Sequence, residues 1–247
     1  MPQIGELIRF LDVWLSPGDY EDLGPNGLQV PAAGEVERVV TGVTAQRALF
    51  DRAVAERAQL VLVHHGLFWN FHPVGLTPLL AERLRPLFKH DIALAAYHLP
   101  LDAHPEIGNN ALLADALGAR EHVEFAVIGR GATFAEPVPA AELFARVAAA
   151  TGREPLVFDA GPPEIRRIAI VSGGAASRLD QAVAEGYDAF LTGEPKENVM
   201  ADAREAGIHF VAAGHYATET FGVRRLGDLL AERFGIEHVW VDLPNPV

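Results

Sequence analysis

The stretch LVLVHHGLFW, residues 60–69, decides how the whole chain is read. Four aliphatic residues in a row, Leu60 to Val63, mark a strand buried on both faces, as in a parallel sheet. Two imidazoles, His64 and His65, then stand where that strand ends, and Gly66 turns the chain. Neighbouring strand residues point to opposite faces. Taken alone, such a pair therefore reads as one buried, hydrogen-bonded histidine and one exposed. At a strand end followed by glycine, both rings are also able to swing toward one point.

Outward from this strand the pattern alternates. VERVVTGV (36–43) reads as a strand and DRAVAERA (51–58) as a helix before it. Further on, IRRIAIVSGG (165–174) is a strand, RLDQAVAEG (178–186) a helix and YDAFLTGE (187–194) a strand. ENVMADAREAG, IHFVAAG, TETFGVRRLGDLLAERFG and IEHVWVDL continue as helix, strand, helix and strand. Short apolar runs between amphipathic helices mean βαβ units in a mixed or mostly parallel sheet. Residues 36–66 also lie over 165–195 without a gap, with Arg38, Asp51, Ala53, Val54, Ala55, Glu56 and Leu62 matched by identical residues. His64 and His65 fall on Gly193 and Glu194. ALAAYH (93–98) and FVAAGH (210–215) both end in histidine, so His98 and His215 are candidate equivalents. The expectation is an α/β protein of two topologically similar α/β units, 1–128 and 129–247. In such sheets ligands bind beyond the carboxyl ends of the strands.

Composition narrows the function classes. The 247 residues contain no cysteine, which excludes disulfides, thiolate ligands and cysteine nucleophiles. A net charge of −13 with no basic run argues against nucleic acid as a partner. No stretch approaches the roughly 18 apolar residues of a membrane span. MPQIGELIRFLDVWL reads as an amphipathic helix rather than a signal peptide, and a cytoplasmic location is expected. Neither a Walker A sequence nor a G-x-S-x-G elbow is present. SGGAAS (172–177) is a glycine-rich turn, read chiefly as a tight turn and secondarily as an anion cradle.

Three strand ends carry the chemistry. In YHLPLD (97–102), His98 and Asp102 are four apart, and Pro100 is expected to hold the segment extended or turned. In GHYATETFG (214–222), His215 and Glu219 share one face of a helix if one begins near His215. With His64 and His65, these make six nitrogen and oxygen donors, a set that suits Zn, Mn, Fe, Co or Ni. One catalytic zinc takes three protein ligands, so the surplus argues for two ions sharing a carboxylate and activating water for hydrolysis.

Taken together, NGLQV (26–30), HHG (64–66), H-x-x-L-D (98–102), GNNALLADALG (108–118), IGRG (128–131), SGG (172–174), TGE (192–194) and GHYATE (214–219) resemble the NIF3-like family, the GTP cyclohydrolase 1 type 2 homologues. The resemblance covers nearly the whole chain, in the short form without a middle insertion domain. It implies a dinuclear metal site with His64, His65, Asp102, His215 and Glu219 as ligands, and with Asp102 and Glu219 as the bridging or shared carboxylates. His98 would stand beside them, either supporting the ligands or acting as an acid–base group, and Glu194 would face the same cavity. Leu99 replaces the threonine often found in the H-T-x-L-D pattern. The family implies a homohexameric ring, a trimer of dimers, and a small-molecule substrate such as a purine nucleotide, opened in a GTP cyclohydrolase-like reaction. The alternative is a non-enzymatic metal-binding ring that acts as a scaffold or regulator.

Overall fold

The computed structural model describes residues 1–247. In chain order the elements are α1 (Ile4–Leu15), β1 (Gly27–Val30), β2 (Arg38–Thr44), α2 (Arg47–Ala55), β3 (Leu60–His65), α3 (Pro78–Lys89), β4 (Ala93–Ala96), α4 (Leu99–Ala103) and α5 (Asn109–Ala116). They continue as β5 (Glu121–Phe125), β6 (Gly129–Pro139), α6 (Ala140–Thr151), β7 (Leu156–Phe158), β8 (Glu164–Val171), α7 (Leu179–Ala184) and β9 (Ala189–Thr192). The last are α8 (Val199–Ala206), β10 (His209–Ala212), α9 (His215–Thr218), α10 (Thr220–Phe234) and β11 (Glu237–Trp240).

The chain forms two compact units. One comprises Met1–Leu101 and Gly222–Leu243, the other Asp102–Phe221 and Pro244–Val247. Each contains a mixed sheet flanked by helices. The first sheet runs β1-β4-β3-β2-β11, with β1 antiparallel and the rest parallel. The second runs β5-β6-β8-β9-β10-β7, with β8, β9 and β10 parallel and the others antiparallel. The division differs from a boundary at 128/129. That cut would separate β5 from β6, which pair as a hairpin with Phe125 opposite Gly129, and the ladder hydrogen bonds keep both strands in one unit.

The internal repeat is visible in detail. β2 pairs β3 with Val39 opposite Leu60, and β8 pairs β9 with Ile168 opposite Ala189, the same register in the aligned numbering. The Arg38 carbonyl accepts from Gln59 N–H at 3.2 Å, and the Arg167 carbonyl accepts from Asp188 N–H at 3.0 Å. The side chains of Gln59 and Asp188 return the bond to Arg38 N–H and Arg167 N–H at 3.0 and 2.9 Å. The guanidinium groups of Arg38 and Arg167 both donate to the last turn of the following helix, at the Glu56 and Glu185 carbonyls. Both helices end in a left-handed residue, Arg57 (φ 56°) and Gly186 (φ 72°).

Packing follows strand periodicity. In the second unit, Ile168, Ile170, Leu191 and Val211 belong to one apolar cluster, whereas Ala169, Val171, Phe190 and Phe210 belong to another. Alternate residues of each strand thus serve opposite faces. In the first unit, Val40, Val61, Val63, Leu94 and Ala96 pack with Leu49, Phe50, Leu84 and Leu87 of α2 and α3. Leu60 to Val63 are fully buried. Each such side chain contributes about 1.5–3 kcal/mol, so the direction in which β3 delivers its last residues is held by its whole length.

Two local expectations change. The helix expected over 51–58 forms over Arg47–Ala55, because Arg57 already takes the left-handed turn. Pro100 does not keep 98–102 extended: Leu99–Ala103 is one helical turn. Proline is tolerated in a first turn, where its missing N–H has no intrahelical acceptor to lose. No helix is long and apolar enough to cross a membrane.

Candidate metal-binding site

In the first unit, His64, His65 and His98 bring one ring nitrogen each to within 4.8 Å of one another. The His64 and His65 rings lie 4.7 Å apart, so the two adjacent side chains do converge rather than diverge. The turn that allows this is built by NGLQV. Gln29 Oε1 accepts from Leu67 N–H at 2.8 Å, and a Cβ on Gly66 would sit 2.2 Å from the Gln29 amide. His64 is fully buried, and its Nδ1 donates to the Tyr97 carbonyl at 3.0 Å. A carbonyl only accepts, so Nδ1 carries the proton and Nε2 the lone pair. This is the tautomer in which a histidine ligates a metal.

His98 is held by a residue that sequence reasoning missed. Its Nδ1 lies 2.7 Å from Asp22 Oδ1, and its backbone N–H donates to Asn26 Oδ1 at 2.7 Å. Burial works to raise the Asp22 carboxyl. Hydrogen bonds from His98 and Asn26, the charge of His98 and the Leu99 N–H outweigh it and bring Asp22 down to about 2. A Pro-Asn-Gly turn preceded by an aspartate, DLGPNG (22–27), was the available signal.

The second unit supplies mainly oxygen. Asp102 and Glu219 are almost fully buried, and their carboxylate oxygens lie within 4.8 Å of each other. Asp102 Oδ1 accepts from Asn109 Nδ2 at 2.8 Å and from Ser172 Oγ at 2.9 Å. α9 begins at His215 as the spacing predicts, and His215 Nε2 lies 3.1 Å from Glu219 Oε1. Its Nδ1 meets Glu194 Oε1. Burial works to lower the His215 imidazole, but Glu219 and Glu194 outweigh it and bring it up to about 9.

Glycines make the space. A Cβ on Gly173, which has φ +66°, would lie 2.4 Å from Glu219 Oε1 and 3.1 Å from His215 Nε2. One on Gly193 would lie 2.6 Å from the His215 Cα. The SGG turn is not an anion cradle. Gly173 N–H goes to Thr218 Oγ1 and Ala175 N–H to Thr192 Oγ1, both at 3.1 Å. Arg130 is buried and donates to the Ala103 and Gly129 carbonyls.

These residues fit a divalent transition ion. Imidazoles with fixed tautomers and buried carboxylates are its usual donors. Two buried carboxylates this close also favour a bound cation.

The fold and the donors define a class: a protein of two mixed-sheet α/β units with strand-end histidine and carboxylate groups able to bind a metal ion. The chain belongs to the Duf34/NIF3 (NGG1p interacting factor 3) family, which matches residues 2–246. A GTP cyclohydrolase 1 type 2 homolog of Pseudomonas aeruginosa is 47% identical, with 98% of each chain covered. Among solved structures, protein ybgI, described as of unknown function, aligns over 100% of both chains with a TM-score of 0.96 and 42% identity. TTHA1606 from Thermus thermophilus does so with a TM-score of 0.94 and 38% identity, again over 100% of both chains.

Proposed function

We propose that the chain is a metal-dependent hydrolase with two divalent ions, and that His64, His65, Asp102, His215 and Glu219 are their ligands. The observation that carries this reading is the buried Asp102–Glu219 pair, two carboxylates within 4.8 Å of each other, a setting that favours a bound cation.

Two ions, when bound, supply an activated water and a Lewis acid. The chain's own residues do the rest. Asp102 is oriented by Asn109 and Ser172. Glu194 turns His215 so that Nε2 faces Glu219. His98 and Glu194 are the proposed proton carriers. The names of the relatives favour a purine nucleotide as substrate. Hydrolysis of purine C8 to formic acid consumes two waters and leaves an NH₂ group at N7 and an N–H at N9, so proton carriers are required. The assembly proposed is a homohexameric ring in the cytoplasm.

The test is elemental analysis of tag-free protein, followed by a formate assay with GTP. Near two ions per subunit and formate release support the proposal; no metal uptake from Mn, Zn or Fe sinks it. Bound metal with no effect of His98→Gln or Glu194→Gln on any turnover favours the scaffold reading. Light scattering decides the ring.

A further inference from the structure

We infer that Asp22 is a positioning residue for His98: it holds the proton on Nδ1 and so presents Nε2, with its lone pair, to the point where His64 and His65 converge. The inference deepens the proposed function, since it rests on His98 as a proton carrier there.

The geometry is a clamp. Asp22 Oδ1 accepts from His98 Nδ1 at 2.7 Å and from Leu23 N–H at 2.7 Å. Its Oδ2 accepts from Asn26 Nδ2 at 2.9 Å and from Leu99 N–H at 3.0 Å. Three of these four partners are amide groups, which can only donate. The carboxylate is therefore an acceptor on both oxygens, and the fourth partner, His98 Nδ1, must bring the proton. The Asp22 side chain is 3% exposed, so its oxygens are reserved for these partners rather than for water. Trp69 stands edge-on to the His98 ring, 5.1 Å away at 88°, and limits its rotation. The nitrogen left to His98 as acceptor is Nε2.

The second unit repeats the device with other parts. His215, the repeat partner of His98, has Glu194 at the same nitrogen, Nδ1. Glu194 comes from the end of β9, whereas Asp22 comes from the loop before β1. A plain loop staple would explain the bonds to Leu23, Asn26 and Leu99 but not the carboxylate aimed at the imidazole. A carboxylate there fixes the tautomer of the ring and the direction of Nε2.

The test is ring-nitrogen NMR of the full chain with ¹⁵N-labelled histidine, first metal-free and then with zinc. Wild type should show His98 as the Nδ1–H tautomer in both states. In Asp22→Asn, the single amide oxygen cannot serve all four donors. If it keeps Leu99 and Asn26, its NH₂ faces His98, so the Nε2–H tautomer should become populated. Asp22→Ala should give a mixture, and Asp22→Glu should partly restore wild type. Zinc content should stay at the wild-type level in Asp22→Asn, while turnover falls about 10–100-fold with KM little changed. An Nε2–H tautomer in wild type, or one tautomer common to wild type and all variants, overturns the inference. Failure of wild type to bind zinc, manganese or iron overturns the proposed function instead, and the metal-free spectra still decide the Asp22–His98 pairing.

Discussion

The two units agree at the amino ends of their parallel strands and differ at the carboxyl ends. At the amino ends, Arg38 and Arg167, Gln59 and Asp188, and Arg57 and Gly186 make matching bonds at matching positions. At the carboxyl ends, His64 and His65 align with Gly193 and Glu194, and Thr44 aligns with Gly173. One unit presents three imidazoles; the other presents carboxylates with one imidazole between them. The shared frame is a folding device, while the unshared ends hold the candidate chemistry. That is where α/β sheets place their ligands.

The largest expected effect is at the unshared end. Asp102→Ala should weaken metal binding on the order of 100-fold or more, beyond what loss of a supporting residue does. It should also cost about 2 kcal/mol through the stranded Asn109 and Ser172 donors. Elemental analysis and urea unfolding read both; two ions still bound would break the ligand assignment. Next, Gly173→Ala should lose about 1–3 kcal/mol, because its φ is +66° and its new Cβ meets Glu219. The matched change Thr44→Ala should lose less. Equal melting temperatures for the two would erase the contrast between the units.

The shared end makes the opposite demand, that equivalent changes act alike. Arg38→Ala and Arg167→Ala should each cost about 1–2 kcal/mol, since each removes a guanidinium that closes a helix end. A gap above about 1 kcal/mol between them in chemical denaturation would show that the repeat is one of shape only. Gly186→Ala should lose about 1 kcal/mol and Arg57→Gly should gain a fraction of that, as both positions are left-handed. The smallest effect concerns pH. Asp22 sits at about 2 in the folded chain against an ordinary 3.8. Its contribution is therefore present above pH 3.8 and lost as pH falls toward 2. The stability difference between wild type and Asp22→Asn should shrink as pH falls below about 4, by about 1 kcal/mol or less. A difference that grows on acidification would contradict the sign.

Much of the frame was legible. The run Leu60–Val63 and its repeat around Leu191 announced parallel strands because burial on both faces leaves no polar alternation to confuse the reading. The segment 121–164 was less clear. β5, with four of its five residues not fully buried, and β6, with two prolines, lack that signal. Their strand character comes from the hairpin partner. The candidate donors were legible one by one, since histidines and acids at strand ends are conspicuous.

The sequence by itself determined the α/β alternation, the internal repeat and the residue types able to ligate a metal. Each of these is a local pattern or a periodicity. The tertiary structure alone decided that adjacent His64 and His65 converge, that Asp22 stands behind His98 from 76 positions away, and that Asp102 and Glu219 share buried space. Direction and burial depend on long-range packing and hydrogen bonds, such as the Tyr97 carbonyl on His64 and the missing Cβ of Gly173, and no local pattern of residues encodes them.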